Sequence, residues 1–521
     1  MLRVDLIRPV PRLLTEQAQL LGDKPAFRDD RRTVTYRQLA DRSRRLAGHL
    51  VAAGAAPGER VFICLDNSVE TAESYLMTTR ASLVGVCVNP DSAPTELAYL
   101  LADSGARVVI TDPAHLGRLR ELTRDRDDVL ILVTGDEEPG ADTRSYEQWA
   151  TGEPTAPPRD DLRLDDVAWM LYTSGTTGRP KGVLLTQRGC LWVVAACWAP
   201  IAGLSGRDQV LSPLPLFHSY ALDLCVLGVF ATGATERILP RFSTGRVLDL
   251  LAEQPFTVLP GVPTMFQYLV HAARERPVAA GSLRLCVSAG AIMPAALNAE
   301  FEEVFGVQLL EGYGITETST MVTMNWPVGG RVLGSCGLPV PGVGVRLVDP
   351  ATGEDVPAGA EGELWVSGPN VMRGYHNRAD ATAEVLRHGW YRTGDLGHRD
   401  PNGFLTISGR TKELIIRGGE NIYPAEVEAV LLGSDGVRDA AVVAREHPDL
   451  GEVPVAFVVP ETPGTLDVRT LLDRCGRELS GFKVPADVVE VDAIPRTGSG
   501  KIMRFRLQER LSAPAGAAET N

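Results

Sequence analysis

Four segments hold residues whose types and spacing suit phosphate and carboxylate chemistry. The first is Tyr172-Thr173-Ser174-Gly175-Thr176-Thr177-Gly178-Arg179-Pro180-Lys181-Gly182. Its glycines let the backbone curl so that N–H groups converge, its four hydroxyls add donors, and Lys181 adds a cation. Such a loop fits a polyphosphate, the β and γ groups of ATP. It is not a Walker A loop, because Pro180 precedes the lysine, Gly182 follows it, and no Ser/Thr stands ready for magnesium. The bland alternative is a polar surface turn. Two hydroxyl–glycine repeats and a lysine directly after the apolar stretch 168–172 make that a poor alternative.

The second segment is Glu311-Gly312-Tyr313-Gly314-Ile315-Thr316-Glu317. Two glycines around Tyr313 would let its ring lie flat against a base. The Thr316 hydroxyl could hold an α-phosphate oxygen, and the Glu317 carboxylate is a hard ligand suited to Mg²⁺ bound with nucleotide. Alone it is a weak signal, since Gly-Tyr-Gly turns are common in loops. In the third, Tyr391-Arg392-Thr393-Gly394-Asp395 followed by Ser408-Gly409-Arg410-Thr411-Lys412, a carboxylate set in a turn could accept both hydroxyls of a ribose. Taken singly, Asp395 reads as a turn or capping residue. The fourth, Pro495-Arg496-Thr497-Gly498-Ser499-Gly500-Lys501, is a turn carrying a lysine, and a solvated loop is its bland reading.

The elements that must position these segments change style along the chain. In the first part Leu39, Leu46, Ala47 and Leu50 share a helical face. Residues 60–65 read as a buried strand, 96–103 as a helix, and 107–111 as a strand ending in a turn at Asp112-Pro113. Repeated α then β predicts doubly wound layers with parallel sheets. From Gly342 onward, 343–348, 362–367 and 403–408 read as short Gly-punctuated strands, which predicts an antiparallel or barrel-like piece. After Gly409 comes a compact α+β unit. It has a helix over 426–432 behind Pro424, strands at 440–444 and 453–459, a helix with Val468, Leu471, Leu472, Cys475 and Leu479 on one face, and a strand at 487–491. The fold class is α/β with an α+β C-terminal domain.

Length and composition bound the function. A chain of 521 residues exceeds what one hydrophobic core serves, so two or three domains are expected. A net charge of -14 argues against a nucleic-acid surface and leaves room for one cationic pocket. The eight cysteines form no C-x-x-C pair and no zinc spacing, so reduced thiols in a cytoplasmic protein are expected. Residues 1–14 carry Arg3, Asp5, Arg8 and Arg12 and do not read as a secretory signal. The uncharged stretches 189–206 and 254–273 are interrupted by Pro200 and by Pro255, Pro260 and Pro263, so no membrane span is expected. Residues 513–521 carry no peroxisomal or lipidation tag.

In this order and at these separations, the four segments resemble the adenylate-forming superfamily of acyl-CoA synthetases, non-ribosomal adenylation domains and firefly luciferase, closest to the acyl-CoA ligases. The resemblance runs from Val34-Thr35-Tyr36-Arg37-Gln38-Leu39 to Lys501. It implies a large N-terminal domain over 1–408, built of two doubly wound layers and a small β-barrel. A hinge at 409–413 and a mobile C-terminal lid domain over 414–521 follow, with the active site between the domains. It also implies ATP, Mg²⁺ and coenzyme A: a carboxylic acid becomes an acyl-adenylate and then an acyl-CoA thioester.

Residue roles follow from the same resemblance. Thr173, Ser174, Gly175, Thr176, Thr177, Gly178 and Lys181 would hold the ATP phosphates. In Ser288-Ala289-Gly290-Ala291-Ile292-Met293-Pro294, the residues Gly290, Ala291 and Ile292 would face base and acyl group, although the segment departs from the family's Gly-Gly-Ala-Pro. Glu311, Gly312, Tyr313, Gly314 and Ile315 belong to the adenine side, with Tyr313 stacked on the base. Thr316 would contact the α-phosphate and Glu317 would bind Mg²⁺. Asp395 and Arg410 would hold the ribose, with Ile407 near the base. Lys412 matches the hinge, and Lys501 matches the lysine bridging substrate carboxylate and nucleotide during adenylation. In Arg417-Gly418-Gly419-Glu420-Asn421-Ile422-Tyr423-Pro424, Gly418 and Gly419 would admit a pantetheine arm.

The acyl pocket is read from Leu214-Pro215-Leu216-Phe217-His218-Ser219-Tyr220-Ala221-Leu222-Asp223. His218, counted with the catalytic candidates, stands where α-amino-acid enzymes of the superfamily carry an ammonium-binding aspartate, which argues against α-amino acids. Val262, Pro263, Cys286, Met321 and Met324 would line an apolar pocket for a hydrophobic, aromatic or bulky acid. Asp223 reads as a helix-end carboxylate, with recognition of an amino or hydroxyl group as its alternative. Rival functions are a ligase that loads an acyl carrier protein, a luciferase-type oxidase for which nothing specific appears, and a non-catalytic nucleotide-binding regulator. Glu317, Asp395 and Lys501 together argue against the last.

Overall fold

The computed structural model describes residues 2–135, 140, 142–173, 179–278, 280–497 and 500–512. The chain divides into two compact units, Met1–Val345 with Val366–Tyr391, and Arg346–Trp365 with Arg392–Asn521.

The first unit is built on two mainly parallel sheets. In the nine-stranded sheet, Pro25–Arg28, Thr235–Ile238, Gln209–Ser212, Val258–Gly261, Leu285–Ser288 and Leu309–Tyr313 run parallel. Short antiparallel strands finish its edges. In the eight-stranded sheet, Val167–Thr173, Val84–Cys87, Arg60–Cys64, Val108–Thr111, Leu130–Val133 and Thr143–Ser145 run parallel. Lys181–Thr186 and Gly374–Tyr375 join it antiparallel. The central strands are buried almost end to end, as parallel strands covered on both faces must be.

Local sequence explains where the helices begin. Thr35 and Gln38 form a capping box ahead of the helix Tyr36–Ala52, which buries Leu39, Leu46, Ala47 and Leu50. Asp112 caps the helix Pro113–Leu122, so the turn expected at Asp112-Pro113 is a helix start with proline in its first turn. The helix Val69–Arg80 is buried along its whole length. Its acids Glu70 and Glu73 are matched by Arg31, Arg32 and Arg42, which avoids bare charge in the interior.

The barrel-like piece expected after Gly342 is a five-stranded sheet containing Gly344–Val348, Gly362–Ser367, Trp390–Arg399 and Leu405–Arg410. Here the structure corrects one expectation. Asp395 lies within the ten-residue strand Trp390–Arg399, not in a turn. The strand is held by antiparallel pairing with Leu405–Arg410, in which Asp395 stands directly opposite Arg410.

The C-terminal part of the second unit is α+β. Ile415–Arg417, Glu420–Ile422, Val437–His447, Gly451–Pro460 and Asp487–Glu490 form its sheet, with helices Pro424–Leu432 and Val468–Glu478. Alternating side chains separate two cores. Val442, Ala456, Val427, Leu431, Leu471 and Cys475 share one, and Val443, Phe457, Ile494 and Leu507 share the other. Val468 is exposed at the start of its helix, outside the face expected for it. No described helix is long and apolar enough to cross a membrane. All eight cysteines are free and buried.

Candidate active site

The phosphate-loop candidate is flanked by two paired strands. Val167–Thr173 and Lys181–Thr186 pair antiparallel, with Thr173 opposite Lys181. Ser174, Gly175, Thr176, Thr177 and Gly178 lie outside the described residues. Both stems are tied to the helix Pro94–Ser104. The Tyr172 hydroxyl donates to Asp103 Oδ2 (2.9 Å), and the Tyr99 hydroxyl donates to the Pro180 carbonyl (2.9 Å). Arg378 Nη2 adds a bond to Asp103 Oδ1 (2.9 Å).

Where the second hairpin strand leaves the loop, three side chains from separate segments converge. Lys181 Nζ lies 5.0 Å from the ring centroid of Tyr375, a cation–π distance. The Tyr375 hydroxyl donates to Glu317 Oε1 (3.0 Å) and lies 3.5 Å from the Tyr391 hydroxyl. Burial, reinforced by the Glu317 carboxylate, pushes the Tyr375 phenol above its ordinary range, so it remains a donor. None of the four segments contains Tyr375. Only the Gly374–Tyr375 edge strand brings it here, and Arg373-Gly374-Tyr375 in the sequence was the one clue to it.

The strand Leu309–Tyr313 delivers the second segment, which then turns sharply. Thr316–Thr318 is a single 3₁₀ turn, followed by Ser319 and Thr320 at φ 50° and 100°. These uncommon conformations for non-glycine residues are held from outside. Met372 N–H donates to the Glu317 carbonyl (2.8 Å), and Asn370 Nδ2 donates to the carbonyls of Thr318 (3.1 Å) and Met321 (2.9 Å). Thr316 Oγ1 lies 3.4 Å from Ser219 Oγ, so the second segment meets the one carrying His218. The His218 ring tilts against Phe217, 4.6 Å between centroids.

Ile315 is buried, and its carbonyl accepts from Thr318 N–H (3.0 Å) to close the 3₁₀ turn. A Cβ on Gly312 would lie 2.1 Å from Met321 Cε, so Met321 packs onto the strand carrying Tyr313. Glu311 points below, where its Oε1 accepts from Met293 N–H (3.2 Å) and so anchors the loop holding Gly290, Ala291 and Ile292. Burial pushes the Glu311 carboxyl up to about 8. Gly290 has φ 90°, and a Cβ there would be 3.6 Å from Val262 Cγ1. Ala291 and Ile292 are exposed.

Asp223 lies in the first turn of the π-helix Ala221–Gly228, the helix-end position expected for it, and is buried there, accepting from Trp198 Nε1 (3.1 Å). Burial holds its carboxyl well above the usual range. Cys286 belongs to the apolar cluster beneath the nine-stranded sheet, and Met324 Sδ lies 3.2 Å from Cys197 Sγ.

The remaining candidates belong to the second unit. Asp395 is buried, and its Oδ1 pairs with Arg410 Nε at 2.7 Å. Ile407, half-buried, stands opposite Gly397. Thr411 N–H donates to the Gly394 carbonyl (2.9 Å), and exposed Lys412 follows directly. Gly418 and Gly419, at φ 59° and 89°, form the turn between two short strands. Arg417 Nη1 braces that turn by donating to the Phe482 carbonyl (2.8 Å). Lys501 is exposed on a short hairpin. Among the described residues no cluster of three or more His, Cys, Asp or Glu could cage a metal ion. One carboxylate such as Glu317 fits Mg²⁺ only together with phosphate oxygens, the usual way that ion is held.

Lysine is scarce in this chain. Only five of the 52 Lys and Arg residues are lysines: Lys24, Lys181, Lys412, Lys483 and Lys501. Lys24 donates to the Gly206 and Gly233 carbonyls, and Lys483 to both Glu426 oxygens (2.7 Å). The other three are the site candidates.

The description "AMP-binding enzyme" matches residues 14–376, and "AMP-binding enzyme C-terminal domain" matches residues 426–501. The chain belongs to the AMP-binding enzyme family. Among other AMP-binding enzymes, it is 37% identical over 495 residues to a feruloyl-CoA synthase from Amycolatopsis sp, covering 95% of this chain and 97% of that protein. It is 38% identical over 524 residues to a naringenin synthase from Pestalotiopsis fici, matching 97% of this chain but spanning only 19% of that much longer protein. A solved anthranilate CoA ligase in complex with anthranoyl-AMP superposes with a TM-score of 0.91 at 26% identity, covering 98% of this chain and 99% of that one.

Proposed function

We propose that this AMP-binding enzyme is an AMP-forming acid–thiol ligase that activates a carboxylic acid with ATP and passes the acyl group to coenzyme A. The observation that carries the reading is the convergence of Lys181, Tyr375 and Glu317 where the second hairpin strand leaves the Gly- and hydroxyl-rich loop. The acid is hydrophobic or aromatic and carries no α-amino group. Support comes from His218 in place of an ammonium-binding aspartate, and from relatives named for feruloyl-CoA and anthranilate. Eight buried free thiols fit a reducing, cytoplasmic setting.

The obstacles to adenylation are mutual repulsion of two anions and their alignment. In this reading Thr173 and Lys181 take the β- and γ-phosphates, Tyr313 the base, and Thr316 the α-phosphate. Asp395 accepts the ribose hydroxyls while Arg410 fixes its orientation. Glu317, together with the nucleotide's own phosphates, would hold Mg²⁺, which would supply charge neutralisation at the phosphates when bound. The Tyr375 hydroxyl orients Glu317 for that task. Lys501 brings a cation to the carboxylate as the new bond forms, and the gain comes from positioning and preorganised charge. The thiol then needs the space Lys501 occupied. The reading therefore assigns 1–408 as the adenylation domain, 409–413 as the hinge with Lys412 its pivot, and 414–521 as the moving lid. Gly418 and Gly419 border the thiol's approach.

The test separates the half-reactions. With a panel of carboxylic acids, pyrophosphate release should depend on an aromatic or hydrophobic acid, and acyl-CoA should appear when CoA is added. Lys501→Ala should abolish pyrophosphate release while leaving thioester formation from supplied acyl-adenylate intact. Lys412→Pro, which fixes φ, should let acyl-AMP accumulate. If acyl-AMP persists with CoA present yet discharges onto a pantetheinylated carrier protein, free CoA is not the acceptor. If no acid supports pyrophosphate release, the enzyme reading falls.

A further inference from the structure

Lys501 sits on a loop, and a long side chain on a loop delivers charge accurately only if its backbone is fixed. The hairpin is small. Thr497 N–H donates to the Lys501 carbonyl (2.8 Å), Lys501 N–H donates to Thr497 Oγ1 (3.1 Å), and Arg496 bridges to Ile502. Two arginines fasten it from opposite ends. Arg496 Nη1 donates to the carbonyl of Gly500, the residue before Lys501 (2.8 Å). The other edge of the same guanidinium grips Asp439, with Nη2–Oδ1 at 2.7 Å and Nε–Oδ2 at 3.3 Å. Asp439 belongs to the long strand Val437–His447. Three residues beyond Lys501, Arg504 enters the interior of the same unit. It binds Glu428 of the helix Pro424–Leu432, the Val442 carbonyl (3.2 Å), and Glu413 Oε2 (3.0 Å), the residue that follows Lys412.

We propose that Arg496 is a positioning residue for Lys501, tying the peptide group ahead of that lysine to the sheet through Asp439. Arg504 fixes the far side and joins the same segment to the residue next to Lys412. The pattern suits arginine, whose planar fork takes the carboxylate with two donors on one edge while a third reaches the carbonyl. The inference rests on the role proposed above for Lys501 and deepens it, since Arg496 acts through the peptide group ahead of that lysine.

The bland alternative is that Arg496 merely glues a hairpin to a sheet. Arg496→Gln is the test, because Arg496 and Asp439 are 23% and 14% exposed and near the surface, so the variant should fold. Acid-dependent pyrophosphate release should fall about 10- to 100-fold in kcat, with KM for ATP unchanged, as misplacement of a catalytic group predicts. Thioester formation from supplied acyl-adenylate should stay within about twofold of wild type, because that step in this reading does not use Lys501. Arg496→Lys should recover part of the loss, and Asp439→Asn should show an intermediate one. In a Lys501→Ala background, Arg496→Gln should add nothing to the residual adenylation rate. Equal losses in both half-reactions, or a further loss in the Lys501→Ala background, would overturn the positioning role while leaving Lys501 in place. If Lys501→Ala itself leaves adenylation intact, the reading of Lys501 fails first and this inference with it.

Discussion

Glycine serves opposite purposes in two segments of this protein. At Gly314 a Cβ would lie 1.2 Å from the Thr320 carbonyl oxygen, so the position is glycine because another part of the backbone occupies the space. At Gly419 a Cβ would meet nothing within 4 Å, and the residue is glycine because φ is 89°. The first is a packing demand in the segment assigned to adenine and α-phosphate. The second is a conformational demand at a turn open to a ligand. A crowded glycine fixes its neighbours, and an open one keeps an approach clear. In the proposed reading the first belongs with adenylation and the second with the thiol step.

Substitutions can break that distinction. Gly314→Ala should have the largest effect, displacing the Thr316–Thr318 turn and lowering acid-dependent pyrophosphate release on the order of 100-fold, with a lower Tm. Gly312→Ala should cost less, because Met321 Cε can swing away. Equal losses from the two would contradict the packing account. Gly419→Leu comes next. It adds bulk and the roughly 1–2 kcal/mol strain of positive φ, so acyl-CoA formation should slow about tenfold while pyrophosphate release holds. A matching fall in adenylation, measured as acyl-AMP and acyl-CoA in one reaction, would break the assignment.

Glu311→Gln sharpens the first side through pH. The folded carboxyl is raised to about 8 by burial against an ordinary value of 4.5, so the native state holds the proton more tightly than the unfolded chain. Its contribution is fully present below 4.5 and is lost as pH rises toward 8. Relative to wild type, Glu311→Gln should gain stability between pH 5 and 8, read as a Tm difference that grows with pH. A difference flat in pH would mean that Glu311 is not the proton-linked group. The smallest effect belongs to Gly418→Asn. At φ 59° asparagine is tolerated, and stability should stay within about 0.5 kcal/mol in a denaturant titration, with pyrophosphate release preserved.

The doubly wound sheets and the α+β unit were legible because buried parallel strands and capped helices leave a local imprint. Thr35 with Gln38 and Pro424 are such marks. Asp395 was less so. Its glycine-flanked sequence resembles a turn, and only pairing with Arg410, fifteen positions on, makes it a strand. Asp223 was legible as a helix-end residue, but nothing local marks the i→i+5 bonding of its helix or tells that its carboxyl will be buried beside Trp198. Tyr375 escaped notice because its meaning lies in two partners, Lys181 and Glu317, distant in the chain and adjacent in space.

The scarcity of lysine has a practical side. A chain that meets nearly all its need for positive charge with guanidinium carries almost no primary amines beyond its amino terminus. Two of the five lie outside the proposed site, Lys24 bonded to main-chain carbonyls and Lys483 to Glu426. Acylating or aldehyde reagents, which pass over arginine, thus meet a nearly blank surface. Most of what remains for them to read is concentrated at Lys181, Lys412 and Lys501, so ordinary amine chemistry becomes a reporter of the proposed site.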